Sequence, residues 1–210
     1  MAAFGQRRFY SNWVFVPAYW NGSAAFGVWP ASWAIVLTSY YDGSDPCAQS
    51  GVICQDDVAL LVVTPQNGKY PGSSTGWYGY GWNGYSYFPW QTLSQAEITQ
   101  LGYPVALDGG LRMERTDSLG YTAGNFSNNT VIGSLMTGGS SGGPWLVNFG
   151  IDPSLSGISH GSMAVKDAVV GVTSWGYIDT TIKEMGAAPF TSGNIVVLVN
   201  YTCSHNPAAC

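Results

Sequence analysis

Charged side chains are scarce in this chain of 210 residues. Asp, Glu, Lys and Arg make up 9% of it, against about 25% in an average soluble protein. The seven basic residues form no cluster and the net charge is −5, so we expect no binding to nucleic acid or to an anionic membrane surface. Long hydrophobic runs are also missing, and no segment is apolar over the length needed to cross a bilayer.

Cysteine is rare as well, with four residues in the whole chain. They fall into two close pairs, Cys47 with Cys54 and Cys203 with Cys210. Four cysteines allow three connectivities, of which local pairing is the simplest. Neither pair has the spacing of a zinc site with nearby histidines, so we expect no metal and no cofactor. Disulfides indicate an oxidising compartment, and we expect a secreted protein.

Glycine and aromatic residues are abundant, with 28 glycines and 14% Phe, Trp and Tyr. This composition favours short strands and tight turns over helices. Two segments leave room for helix. Thr92–Leu101 has Ser94 as a possible N-cap with Glu97 three residues later, which predicts a short turn or helix. Thr191–Val199 carries an apolar helical stripe, but its β-branched residues equally permit a strand.

The segment Gly139-Ser-Ser-Gly-Gly-Pro144 is the most informative motif. A serine attacks a carbonyl only if its hydroxyl is exposed and backbone N–H groups converge on the developing oxyanion. Ser141 would be that nucleophile, and the N–H groups of Gly139 and Ser141 would be the oxyanion donors. The alternative is a flexible Gly/Ser surface loop. The motif resembles the active-site turn of trypsin-like (chymotrypsin-fold) serine peptidases.

A second resemblance to that family follows downstream. The β-branched run from Val169 ends in Ser174, Trp175 and Gly176. In trypsin-like enzymes such a strand forms one wall of the specificity pocket, and an exposed strand end can pair with an extended substrate backbone. An ordinary core strand is the alternative.

A third resemblance lies upstream, in Asp56-Asp-Val-Ala-Leu-Leu-Val-Val63. It resembles the strand that bears the catalytic Asp, and the alignment selects Asp57. A carboxylate at a hydrophobic strand needs a partner, and in a triad that partner is an imidazole. The alternative is a pair of turn residues at the start of a strand.

The histidine of the triad is missing from its expected place. In the chymotrypsin-like order His precedes Asp and Asp precedes Ser, yet His160 and His205 both follow Ser141. Both are more plausible as solvated loop residues. Asn12–Ala31 resembles a segment that lies between His and Asp in secreted trypsin-like and glutamyl-endopeptidase-like proteins. The resemblance therefore implies that this chain lacks the opening strands and the histidine. Either they precede Met1, or the chain is a pseudo-peptidase that has lost them.

The family resemblance implies an all-β fold of two packed antiparallel Greek-key β-barrels. The remainder of the first barrel, truncated at its N-terminus, would occupy residues 1–72 and carry Asp57. The second barrel would occupy 73–210, with the nucleophile turn, the specificity strand and a short C-terminal helix.

The resemblance also places the specificity pocket. Leu135, with Met136 beside it, aligns with the pocket base, where an Asp would select Arg or Lys and Leu cannot. Thr173 stands where glutamyl endopeptidases of this family carry a histidine that helps to bind Glu. The pocket thus looks neutral, and we expect a preference for apolar or small side chains.

The resulting hypothesis is a secreted, monomeric serine endopeptidase that acts on protein or peptide substrates and is nearly inactive without a base. A non-catalytic binding protein on the same scaffold is the second hypothesis. The third is a secreted glycan-binding module that uses the aromatic-rich stretch between Pro65 and Phe88, although strand aromatics in a barrel core also explain that stretch.

Overall fold

The structure is a computed structural model that describes residues 2–45, 55–83, 96–122, 130–151 and 166–210. The chain divides into two compact units. The first unit combines Met1–Trp77 with Gly193–Cys210, and the second is Tyr78–Ser192.

The described part of the first unit contains a three-stranded antiparallel sheet in the order β1-β2-β3. Two short helices follow β2 and β3, and the C-terminal segment adds a longer helix and a 3₁₀ turn. The elements are β1 Val14–Phe15, β2 Trp29–Val36, α1 Thr38–Asp42, β3 Ala59–Val63, α2 Gly72–Thr75, α3 Ile195–His205 and the 3₁₀ turn Pro207–Ala209.

The C-terminal segment is helical, as the family resemblance favoured, because its apolar stripe packs on a sheet. Ile195 and Leu198 are buried, and α3 packs on β2 and β3. The Asn194 side chain caps the helix by accepting the Ile195 N–H. Cys203 and Cys210 form a disulfide, whereas Cys47 and Cys54 lie outside the described residues.

Residues 193–210 group with the first unit in the structure. The sequence-based prediction of two barrels, 1–72 and 73–210, instead assigns this tail to the second barrel. The difference has a physical cause, since Tyr201 of α3 stacks on Trp33 of β2 at a centroid distance of 6.0 Å. Such long-range packing leaves no local signal in the sequence.

The second unit is an antiparallel sheet in the order β6-β5-β9-β10-β11-β8-β7 over its described residues, with β4 pairing parallel to β10. β6 also lies beside β8, which brings the sheet close to a closed barrel. The strands are β4 Gly79–Tyr80, β5 Glu97–Gly102, β6 Glu114–Leu119, β7 Tyr121–Thr122, β8 Thr130–Gly133, β9 Pro144–Val147, β10 Ala168–Gly176 and β11 Glu184–Pro189. The all-β prediction is confirmed, with one nearly closed barrel and a second sheet.

The core of the second unit is apolar and fully buried. Its members come from five strands and include Ile98, Ile132, Trp145, Val147, Val170 and Ala187. These side chains face the interior from all five strands, Trp145 and Val147 both from β9, so the barrel is filled by side chains in the way small barrels are.

The helix or turn predicted for Thr92–Leu101 is wrong over its described part. Glu97–Gly102 is strand β5, and its proposed N-cap Ser94 lies outside the described residues. Ile98 and Leu101 are both buried although they point to opposite faces of the strand. A strand covered on both faces loses its alternating pattern, so its apolar residues can imitate a helical spacing.

Among the described residues, no helix is long and apolar enough to span a membrane.

Candidate active site

The glycine-rich turn that precedes β9 is held by its own backbone and by β10. The Ser140 N–H donates to the Thr137 carbonyl at 3.2 Å, and the Gly143 N–H donates to the Ser140 carbonyl at 2.9 Å. The Gly142 N–H reaches the Thr173 carbonyl of β10 at 2.8 Å. The turn is therefore a fixed element and not a flexible Gly/Ser loop.

Two glycines of the turn are required by close contacts. Gly139 has φ +99°, and a Cβ there would lie 2.5 Å from the Tyr103 carbonyl oxygen. A Cβ at Gly143 would lie 2.1 Å from the Leu101 carbonyl oxygen. Any side chain at either position would collide with backbone, so the path of the turn depends on both glycines.

The two serines of the turn have opposite environments. Ser140 is 1% exposed, and its hydroxyl donates to the Thr137 carbonyl at 2.6 Å. Ser141 is exposed. Within the described residues, neither the Ser141 N–H nor the Gly139 N–H makes a hydrogen bond. An exposed hydroxyl beside two uncommitted N–H groups can present a nucleophile and an oxyanion site together.

A pocket of about 350 Å³ opens beside Ser141. The structure brings together here all the residues that the sequence predicts for substrate binding, which are Leu135, Met136, Ser174, Trp175 and Gly176. Trp175 forms a wall against Gly186 of β11, where a Cβ would lie 1.9 Å from the indole ring. A bulge between Thr173 and Trp175 interrupts the pairing of β10 with β11 and turns this wall.

The far side of the pocket was not predicted from the sequence. It comes from the end of β10, the following loop and the start of β11, and it includes Tyr177, Asp179, Ile182, Lys183, Glu184 and Met185. These residues belong to no recognisable motif. Only their position after the Ser-Trp-Gly strand could have indicated that they line the pocket. Hydrogen bonds from the Thr181 hydroxyl and N–H hold the pKa of the Asp179 carboxyl below its usual range.

A buried polar network lies behind the pocket walls. The Gln100 amide donates to the Thr173 hydroxyl at 2.9 Å, and the Ser134 hydroxyl donates to the Gln100 amide oxygen at 2.7 Å. The Trp145 indole N–H also donates to Thr173 at 2.9 Å, and the Met136 N–H donates to Ser134 at 3.1 Å. Thr173 is 2% exposed, so its hydroxyl serves this network and does not face the pocket.

Comparison with solved structures finds serine proteases. A thermostable serine protease AL20 from an extremophilic microorganism matches with a TM-score of 0.69 and 24% identity, over 93% of this chain and 76% of that one. The protease Anisep from Arthrobacter nicotinovorans matches at 0.65 and 25%, over 94% and 74%. A Glu endopeptidase matches at 0.65 and 17%, over 97% and 77%. No protein-family model and no curated protein matches the chain.

The chain has the chymotrypsin-like serine protease fold. The Gly139–Pro144 turn and the Ser174–Gly176 strand end therefore lie within a fold that serine proteases share.

In this serine protease fold, Asp57 belongs to the first unit. It is half-buried in the turn before β3. Its neighbour Asp56 accepts the Ser39 hydroxyl at 2.5 Å, and the Asp56 N–H donates to Asp45 at 2.9 Å. Asp45 is itself buried, and burial is the main reason why its pKa is raised.

The Asp57 carboxylate accepts a hydrogen bond from the Tyr40 hydroxyl. Tyr40 lies on α1, where its ring packs edge-on against Phe4 at 5.4 Å. Burial first, and the Asp57 charge and hydrogen bond next, raise the pKa of the Tyr40 phenol above its usual value. No local pattern in the sequence predicts this pair, because neither the residue types nor their spacing is distinctive.

Of the two histidines, His205 is exposed as expected, but it ends a helix and does not lie in a loop. His205 is exposed on α3, where its ring stacks on Tyr201 at 4.1 Å and on Trp33 at 6.3 Å. Its Nδ1 lies 2.8 Å from the Tyr201 carbonyl oxygen. His160 lies outside the described residues.

Proposed function

We propose that this protein binds extended peptides through the Ser141 pocket and is organised for serine-type hydrolysis of the peptide bond. One observation carries the proposal. Ser141 is exposed at a pocket of about 350 Å³, and the N–H groups of Gly139 and Ser141 are uncommitted beside it. A rigid serine, an oxyanion site and a side-chain pocket are the parts that acyl transfer requires.

The roles follow from this arrangement. Ser141 Oγ bonds to the carbonyl carbon of the substrate while its proton passes to a base, and Gly139 and Ser141 stabilise the oxyanion. The C–N bond then breaks, and the amine leaves with that proton. Water hydrolyses the acyl-enzyme, which restores the Ser141 hydroxyl and releases the acid.

We expect this protein to hydrolyse peptide bonds very slowly. The carboxylate predicted to orient the base, Asp57, accepts a tyrosine hydroxyl. Loss of one triad member leaves only the smaller contribution of oxyanion stabilisation and binding. This observation favours the second candidate function, a pseudo-peptidase that captures peptides without cleaving them.

The pocket chemistry indicates which peptides bind. The lining is apolar at four side chains, Leu135, Met136, Ile182 and Met185, and charged at three, Asp179, Lys183 and Glu184. Thr173 is committed to the buried network. We assign the pocket to apolar or small side chains. Extending the proposal, the protein is an extracellular monomer that acts without nucleic acid, membrane, metal or cofactor.

Peptide boronic acids test this function without needing a base. The boron of a peptide boronate with a Leu-like side chain becomes tetrahedral when Ser141 Oγ adds to it, which ¹¹B NMR detects. We expect the signal in the parent protein and its loss in Ser141→Ala. The boronate should bind more tightly than matched Arg-like and Glu-like boronates. An unchanged signal in Ser141→Ala would contradict the nucleophile assignment, and tighter binding of a charged boronate would contradict the pocket assignment.

A further inference from the structure

A second pocket lies wholly within the first unit. Its volume is about 670 Å³, inside the range of about 300–1,000 Å³ that is usual for small-ligand sites. Its walls come from β3, from the segment Tyr70 to Ser73, from α3 and from the C-terminal tail. The Cys203–Cys210 disulfide lines the pocket and ties the tail to α3. The pocket is therefore built from several elements of one unit that are fixed to each other.

Trp77 presents an indole ring at this pocket. The residue lines the pocket and is 85% exposed, although tryptophan is a residue type that is mostly buried. Among the described residues, the indole makes no hydrogen bond and no ring contact. The ring lies close to Gly72, where a Cβ would be 3.6 Å from it. Most of the ring surface is thus open to a ligand.

The pocket also offers hydroxyl groups. Thr202 of α3 lines it and is 6% exposed, and its buried hydroxyl has no hydrogen-bond partner in the described part of the chain. A buried polar group without a partner is costly, and a ligand hydroxyl that enters the pocket can supply one. Ser73 donates to the Tyr70 carbonyl at 2.8 Å, so its oxygen can still accept a hydrogen bond.

The lining indicates the chemical class of the ligand. No charged side chain stands among the described residues that line the pocket, so the anionic group of a nucleotide or a fatty acid would find no counter-charge. An alkyl chain would leave the Thr202 hydroxyl unsatisfied. A sugar ring has C–H groups on one face and hydroxyls at its edge, so it can cover an aromatic ring and form hydrogen bonds together.

We propose that this pocket binds a neutral sugar ring of an oligosaccharide, which stacks on Trp77 and directs its hydroxyls to Ser73 and Thr202. The proposal is independent of the proposed function, because Ser141 and its pocket belong to the second unit. It assigns a site to the glycan-binding hypothesis, since Trp77 lies in the aromatic-rich stretch between Pro65 and Phe88.

Calorimetric titration with neutral oligosaccharides tests the site. The probes are the hexasaccharides of β-linked glucose, of mannose and of N-acetylglucosamine. We expect at least one to bind, and we expect its affinity to fall about tenfold or more in Trp77→Ala. Trp20→Ala is the matched control, because Trp20 is exposed in the same unit and does not line the pocket. It should keep the parent affinity, and far-UV circular dichroism checks that both variants fold.

Thr202→Val separates a sugar from an apolar ligand. The change keeps the shape of the side chain and removes the hydroxyl, so the affinity for the sugar should fall several-fold. The affinity for octanol, as an alkyl probe, should rise in the same variant.

Two results would overturn the inference. One is the absence of binding by all three hexasaccharides, with or without binding of octanol. The other is equal sugar affinity in Trp77→Ala and Trp20→Ala. Ser141→Ala should bind the sugar with the parent affinity, and a loss there would move the sugar to the other pocket and contradict the assignment. The boronate adduct at Ser141 tests the proposed function separately.

Discussion

Single residues in the nucleophile turn decide what the turn can do. Ser140 and Ser141 are adjacent, yet one is buried against Thr137 and the other is exposed. Gly102 makes the burial possible, since a Cβ there would lie 2.8 Å from the Ser140 side chain. The burial of Ser140 therefore depends on the absence of a side chain at Gly102.

Replacing Gly143 should be far more damaging than replacing Gly138. A Cβ at Gly143 would collide with the Leu101 carbonyl oxygen at 2.1 Å, whereas a Cβ at Gly138 meets nothing within 4 Å. We expect Gly143→Ala to lower the free energy of unfolding by about 2 kcal/mol or more. Gly138→Ala should change it by less than about 0.5 kcal/mol. Equal urea midpoints for the two variants would show that the turn is not packed as described.

At the scale of elements, the pocket depends on how strands are joined behind it. Gln100 of β5 bonds both to Ser134, in the segment before the turn, and to Thr173 of β10. The two walls that carry Met136 and Ser174 are thereby linked through one buried amide. Buried networks of this kind stabilise only when every member is satisfied.

Gln100→Leu should weaken both stability and ligand binding. It leaves the buried Ser134 hydroxyl without its acceptor, which costs about 1–3 kcal/mol. It also frees the two walls, so we expect the affinity for an apolar peptide boronate to fall several-fold. The exposed Glu97 at the start of the same strand provides the control, and Glu97→Gln should change neither quantity. Unfolding in urea and boronate titration check both, and an unaltered affinity in Gln100→Leu would separate the network from the pocket.

The pairing of β5 with β6 should make stability depend on pH in the acid range. Asp117 lies opposite Thr99, and hydrogen bonds from Arg115 first, and from Thr99, hold its pKa below the usual value. A depressed folded pKa adds stability above the unfolded pKa of about 3.9, and this stability is lost as pH falls through the folded pKa.

Asp117→Asn should therefore be less stable than the parent at pH 6, by less than about 1 kcal/mol because the pair is largely exposed. The difference should shrink as the pH drops below about 4. Urea unfolding at a series of pH values measures this. A difference that stays constant down to pH 2 would mean that the charge of Asp117 contributes nothing.

The strands also show which features the sequence can predict and why it cannot predict the others. The strand ending at Gly176 and the strand following Asp57 were predictable, because motif and β-branched run coincide in each. Strand β5 was not, because burial of both faces hides its alternation. The pairing of Tyr40 with Asp57 and the pocket loop around Ile182 arise from tertiary contacts, which no local pattern records.

For the whole molecule, the proposed oxyanion site and side-chain pocket lie within a single unit. The second unit holds Ser141, its oxyanion donors and the pocket, on a nearly closed barrel. The first unit holds Asp57 and Tyr40. The fold was predictable from three ordered motifs, and solved serine proteases share it over 93–97% of this chain.

The proposed function depends on one site, in which Ser141 is the nucleophile and the N–H groups of Gly139 and Ser141 are the oxyanion donors. Amide NMR of the ¹⁵N-labelled protein tests it most directly, by following the signals of Gly139 and Ser141 as an apolar peptide boronate is added. We predict that these two amides shift most, together with residues of the pocket, and that Ser141→Ala abolishes the Gly139 shift. Unmoved Gly139 and Ser141 signals at saturating boronate would show that these N–H groups do not form an oxyanion site.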